Sequence, residues 1–252
     1  MKKILSGLFA AALGFATVPA NAAGDAVPLP DYEWSFDGVF GTYDKASLQR
    51  GFQVYKEVCS GCHSLDLIAF RNLTDLGYNV DEIKAIASEY TVEDGPNDEG
   101  EMFERNAIAS DYFPSPFPNE KAAAASNGGK APPDLSLMAK ARVGGPSFVR
   151  ALLTGYEDAP EGFETGDLSY NKYFPGHLIA MAPPLSEDAV EYGDGTTATV
   201  DQMAADVSHF LMWAAEPKLE ARKNTGVKVM IFLIIFTLVM YAAKRKVFAK
   251  VH

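Results

Sequence analysis

Apolar residues recur at three- and four-residue intervals in two well-separated parts of the chain. In the first, Leu48, Phe52 and Tyr55 fall on one face behind Asp44, a good helix-capping residue, so the pattern predicts a helix over 44–59. Gly51 on that helix leaves room for close approach by another helix. In the second, Met203, Val207, Phe210, Leu211 and Ala214 form an apolar stripe over 199–215, after which Pro217 opens a new segment. The chain between them is irregular. Shorter helical patterns at 81–90, 119–126, 134–141 and 146–153 are separated by proline and glycine clusters such as Phe113-Pro114-Ser115-Pro116-Phe117-Pro118. Asp194-Gly195, flanked by Val190-Glu191-Tyr192 and Thr197-Ala198-Thr199, predicts a small β-hairpin. The expected fold is mainly α, with long loop-rich insertions.

Two further runs are apolar without periodicity. Lys2 and Lys3 precede residues 4–18, and Ala20-Asn21-Ala22 supplies the small-residue pattern at which secretory signals are cut. Residues 226–243, GVKVMIFLIIFTLVMYAA, hold one charge, Lys228, in 18 positions. As a helix they would extend roughly 27 Å, about one bilayer core. The two runs imply a cleaved signal peptide (1–22), an exported body (23–220), one transmembrane helix (221–243) and a short tail (244–252). An exported N-terminus followed by one span places the body in the periplasm and the tail in the cytoplasm of a bacterial inner membrane protein.

Charge follows the same division. The formal net charge is −11, but all 33 Asp and Glu lie within 25–220 beside only 13 of the 22 Lys and Arg, which leaves −20 on that stretch. A body this acidic repels phosphate backbones, which excludes nucleic acid as a partner, and it would steer a basic protein toward itself.

The chain has two cysteines, in Cys59-Ser60-Gly61-Cys62-His63. This is C-x-x-C-H, the attachment sequence for c-type haem. Two thiols at this spacing reach the two vinyl groups of one porphyrin and form thioethers, and the histidine that follows is then held under the iron. A thioredoxin-like pair would sit at a strand-to-helix junction, whereas this motif follows a helix; zinc would need further ligands that no other cysteine supplies. A large buried cofactor also accounts for so much irregular chain in an exported body.

An electron-carrying haem takes a sixth ligand, and methionine gives a high potential. Met102, Met138, Met181, Met203 and Met212 are the candidates in the body, with His177 and His209. Met203 and Met212 belong to the 199–215 helix, Met102 to the acidic stretch 99–104 and Met138 to a short amphipathic pattern. Met181 lies in Pro175-Gly176-His177-Leu178-Ile179-Ala180-Met181-Ala182-Pro183-Pro184, a proline-stiffened loop suited to holding a weak thioether ligand, and His177 ranks next.

The haem motif together with Asp94-Gly95-Pro96-Asn97, Ser110-Asp111-Tyr112-Phe113-Pro114, Ala131-Pro132-Pro133-Asp134-Leu135-Ser136, Tyr173-Phe174-Pro175-Gly176 and Trp213-Ala214-Ala215-Glu216-Pro217 resembles the cytochrome c1 family, over essentially the whole mature length. Members of that family are the haem-bearing subunits of quinol:cytochrome c oxidoreductase (bc1) complexes. The resemblance implies a cytochrome c-type haem domain with one haem c on Cys59 and Cys62, and His63 and Met181 as its axial ligands. It implies that Arg142 pairs with a haem propionate and that the loop of Pro133 packs on the proximal side. It further implies an electron-transfer subunit rather than an enzyme on its own, working beside cytochrome b and the Rieske iron–sulfur protein. Electrons would pass from the Rieske protein to a basic soluble or tethered cytochrome c. A membrane-anchored haem peroxidase and a haem c subunit of a terminal oxidase are the competing readings.

Overall fold

The computed structural model describes residues 27–250, so the expected signal peptide at 1–22 lies outside the described residues. Asp44 caps α1 (Lys45–Val54), its carboxylate accepting from the Ser47 amide at 3.0 Å. At Tyr55 the helix widens into a π-helical turn, Tyr55–Cys59, closed by the Ser60 amide on the Tyr55 carbonyl at 2.8 Å. A 3₁₀ helix (Phe70–Leu76) and α2 (Val80–Ser88) follow, the latter started by a capping box between Asn79 and Glu82. Next come an antiparallel pair, β1 (Thr91–Asp94) and β2 (Phe103–Asn106), and three helices, α3 (Glu120–Ser126), α4 (Met138–Ala141) and α5 (Gly145–Thr154). A second antiparallel pair, β3 (Ser169–Tyr170) and β4 (Leu178–Ile179), precedes α6 (Val200–Ala215), capped by Thr199, and α7 (Leu219–Val247).

The core forms where α6 crosses α1. The crossing is close because Gly51 has no side chain: a Cβ there would stand 2.0 Å from the Asp206 carbonyl oxygen and 2.7 Å from the Phe210 Cβ. The sequence pattern predicted one apolar stripe on α6, yet every residue from 206 to 214 is buried. With α1 packed on it, and α4 and α5 as well, the helix has no solvent face left over this length. Its polar residues are therefore paired. Arg50 meets Asp206, the Ser208 hydroxyl donates to the Ala204 carbonyl at 2.7 Å, and His209 Nε2 accepts the Asp44 amide at 3.2 Å. Phe52, Tyr55, Phe70 and Phe113 continue the core away from Phe210, with ring centroids 5.7 Å apart for Tyr55 and Phe210 and 4.3 Å for Phe70 and Phe113.

Two sequence expectations are corrected. The 134–141 pattern yields a helix only from Met138, because the Asp134 and Ser136 side chains bond across to residues 64–67 instead of starting a helical turn. The hairpin expected at Asp194-Gly195 does not form. Asp194 accepts instead from Arg50 Nη1 at 2.8 Å and from the Thr196 amide at 2.9 Å, while Val190, Tyr192 and Ala198 turn into the core. The small hairpins lie at β1/β2 and β3/β4.

The 29 residues of α7 extend about 43 Å at 1.5 Å per residue, with mean hydropathy 2.2 over the most apolar 18 and none of that window buried. The helix is long and apolar enough to cross a membrane. Its first turns are fastened to the body. Leu219 is buried, Glu220 Oε1 accepts the Tyr43 amide at 2.8 Å, and Lys223 Nζ donates to the carbonyls of Phe36 and Gly41 at 2.5 and 3.2 Å. The boundary expected between 220 and 221 thus falls inside one continuous helix.

Candidate haem site

The π-helical turn delivers Cys59 to a tight reversal of the chain. The Cys59 carbonyl accepts from the amides of both Cys62 (3.1 Å) and His63 (2.9 Å), which folds the five-residue motif on itself, and the Tyr55 hydroxyl holds the His63 carbonyl at 3.2 Å. Cys59 and Cys62 form no disulfide with each other. Burial pushes the Cys59 thiol up to about 12, so it is not a reactive thiolate. Among the described residues no group of three or more His, Cys, Asp and Glu is placed to hold a metal ion.

His63 Nδ1 lies 2.8 Å from the Pro133 carbonyl oxygen. A carbonyl only accepts, so Nδ1 carries the proton and Nε2 keeps its lone pair. Burial lowers the pKa of the ring, against the opposing pull of the Pro133 bond, and favours the neutral imidazole. A neutral imidazole with its far nitrogen hydrogen-bonded and its near nitrogen open is the form in which histidine binds iron. The residues fit a covalent haem on this count.

The Pro133 loop is held to the motif by a residue that the sequence reading did not single out. Asp134 Oδ2 accepts from the Ser64 hydroxyl and the Asp66 amide, each at 2.9 Å, and Oδ1 accepts the Ser136 amide at 2.9 Å. The Leu135 amide adds a bond to the Ser64 carbonyl at 2.9 Å, and the Leu67 amide one to the Ser136 hydroxyl at 3.1 Å. Pro133 is thereby fixed over His63. An aspartate two residues before a serine was the available signal, but its partners lie some seventy positions upstream.

Of the sixth-ligand candidates, Met203 and Met212 are buried in the core, Met102 is 56% exposed on the surface, and Met138 packs partly against the core. His209 is held by the Asp44 amide, and the His177 ring stacks on Tyr170 with Nδ1 3.3 Å from the Asn171 carbonyl. Met181 is half-buried two residues beyond β4, its carbonyl fixed by the Tyr156 hydroxyl at 3.0 Å. Its loop is organised by the fully buried Asn171. The Asn171 Nδ2 donates to the Leu152 carbonyl at 2.8 Å, and Oδ1 accepts the amides of Tyr173 (3.0 Å) and Phe174 (3.2 Å). Arg142 stands exposed at the end of α4, with no ion pair among the described residues.

A cysteine pair and an iron-ready imidazole on one turn, at the end of a helix locked across a second helix, define a c-type cytochrome, here continued by one long apolar helix. The Cytochrome C1 family model matches residues 34–251, and the chain belongs to that family. It is 50% identical over 242 residues to the cytochrome c1 of Rhodospirillum rubrum, which covers 89% of this chain and 88% of that protein. It is 51% identical over 236 residues to "Cytochrome c1 1, heme protein, mitochondrial" of Arabidopsis thaliana, covering 93% of this chain and 76% of that one. The "Cytochrome b/c1" of Bradyrhizobium diazoefficiens is 52% identical over 246 residues and 88% of this chain, but the chain spans only 36% of that longer protein.

Proposed function

We propose that this chain is the haem c subunit of a cytochrome b-c1 complex, carrying electrons from the Rieske iron–sulfur protein to a c-type cytochrome. Cys59 and Cys62 would hold the haem through thioethers, and His63 and Met181 would be the residues that bind its iron. The haem, when bound, supplies a reversible one-electron site. Around it Pro133 orients the His63 ring, Asp134 fixes Pro133, Tyr156 fixes the Met181 backbone, and Arg142 supplies a cation for a propionate. The body lies in the periplasm, α7 spans the inner membrane beside cytochrome b, and the 244–252 tail returns to the cytoplasm. The charge of −20 over 25–220 suits a basic acceptor that docks fast and leaves fast.

The single observation that carries this reading is the bond from His63 Nδ1 to the Pro133 carbonyl, 2.8 Å, which leaves Nε2 free for iron. The name of the Candida albicans relative, a cytochrome b-c1 complex catalytic subunit 48% identical over 228 residues, supports the choice of complex. The test is the oxidised spectrum of the haem-loaded full chain. It should contain the methionine-to-iron charge-transfer band, and Met181→Leu should abolish the band and lower the potential. A band that survives the substitution refutes Met181 as the ligand.

A further inference from the structure

An open cavity of about 380 Å³ lies where the body meets α7. One side is aromatic, formed by Tyr32 and by the stacked pair Trp34 and Phe36, whose rings are 5.4 Å apart and 14° from parallel. Its cations are Lys140, Arg222 and Lys223, set against the carboxylates of Asp37 and Glu216, so the lining is net positive. Glu216 marks where an anion is attracted: Lys140 Nζ and Arg222 Nε each approach it at 2.5 Å. Arg222 uses only Nε in this contact, and neither of its Nη groups is hydrogen-bonded among the described residues. Lys218 and Lys228 flank the same stretch of helix.

Depth decides which anion the cavity would meet. When 226–243 fills the hydrocarbon core, Arg222 stands about 6 Å above Gly226, within the headgroup layer. A loop tip beside the cavity fits the same depth. Val39 and Phe40 are 61% and 82% exposed, and the carbonyls on either side of them, Phe36 and Gly41, are tied to α7 by Lys223. Exposed apolar and aromatic side chains next to a membrane helix are at home in the interface.

We propose that this cavity takes the headgroup phosphate of an acidic phospholipid, with Arg222 and Lys140 as donors and the half-buried Trp34 ring, backed by Phe36, against the glycerol and first acyl carbons. The proposal rests on α7 spanning a membrane. The test uses the haem-loaded full chain, purified in detergent, stripped of lipid and examined by native mass spectrometry with phosphatidylglycerol or phosphatidylcholine. Phosphatidylglycerol should be retained in preference, and Arg222→Gln and Lys140→Gln should each lower its retention about fivefold, the worth of one cation at an anionic surface. Lys244→Gln/Lys246→Gln, at the other end of the helix, should leave retention unchanged, and the haem spectrum reports folding of every variant. Equal retention of the two lipids, loss only with the tail variant, or displacement of the lipid by inorganic phosphate would each overturn the proposal. Carbonate extraction of cell membranes separates the two readings. A chain released by carbonate refutes the membrane span itself, whereas a chain retained without preference for phosphatidylglycerol refutes the lipid site alone.

Discussion

Arg50 on α1 grips Asp206 on α6 through two nearly parallel hydrogen bonds, Nε to Oδ2 at 2.9 Å and Nη2 to Oδ1 at 3.0 Å, beside the point where Gly51 lets the helices touch. Asp206 is 1% exposed, so its charge depends on this partner and on Gln202 Nε2 at 2.9 Å. Arg50→Met should therefore cost about 3–5 kcal/mol, the penalty for stranding a buried charge. Arg50→Met/Asp206→Leu should be less damaging than the single change. Urea unfolding of the detergent-solubilised chain measures both, and a double variant no better than Arg50→Met would contradict this account.

Gly51→Ala should be almost as harmful for a steric reason. The new methyl would meet the Asp206 carbonyl oxygen at 2.0 Å, so α1 must move off α6 at a cost of about 3 kcal/mol. Because α1 leads directly into the Cys59 turn, the yield of haem-loaded protein, read from the absorbance of purified samples, should fall with stability.

Stability should decline in mild acid through His209. Burial pushes this imidazole down to about 4 from an ordinary 6.5, and Nε2 is committed to the Asp44 amide. The folded protein thus holds the ring neutral while the unfolded chain protonates it first. The contribution is complete above pH 6.5 and shrinks as pH falls toward 4, by about 3 kcal/mol in all. His209→Gln, which keeps an acceptor for Asp44, should flatten the unfolding midpoint across that window; an unchanged slope would assign the acid sensitivity to other groups.

Asp134→Ala removes one carboxylate that accepts three hydrogen bonds. A loss of about 2 kcal/mol is expected. The more telling readout is the low-spin ferric signal in electron paramagnetic resonance, which should broaden as Pro133 loosens and the His63 ring takes several orientations. A sharp, unshifted signal would show that Pro133 needs no such support.

Local rules made part of this molecule readable. α1 and α6 announced themselves through apolar spacing, α1 also through its cap Asp44, and the C-x-x-C-H motif is contiguous in the chain. The features that resisted reading are those made by distant partners. Asp134 and Ser64 are 70 residues apart, and Arg50 and Asp194 are 144 apart. In the Asp194 case a distant arginine overrode a turn signal that looked like a hairpin. β1 and β2, Thr-Val-Glu-Asp and Phe-Glu-Arg-Asn, lack the apolar alternation by which strands are recognised, and their Arg105 is bound to Asp94 and Asp111 instead. Met181 was singled out by its proline-stiffened surroundings, but the Asn171 and Tyr156 bonds that fix its loop had no local signature.

The fastening of α7 bears on how electrons can move. Lys223 and Glu220 clamp the top of the helix to residues 36–43, immediately ahead of α1, and α1 ends in the haem turn. α7 and the C-x-x-C-H motif are therefore joined through a few rigid steps with no swivel between them. With α7 as the proposed membrane span, a domain mounted in this way would keep its redox site at a set height and bearing above the bilayer, as a fixed post does. Any relay through such a post has to gain its reach from the carriers on either side, which must come to it and depart.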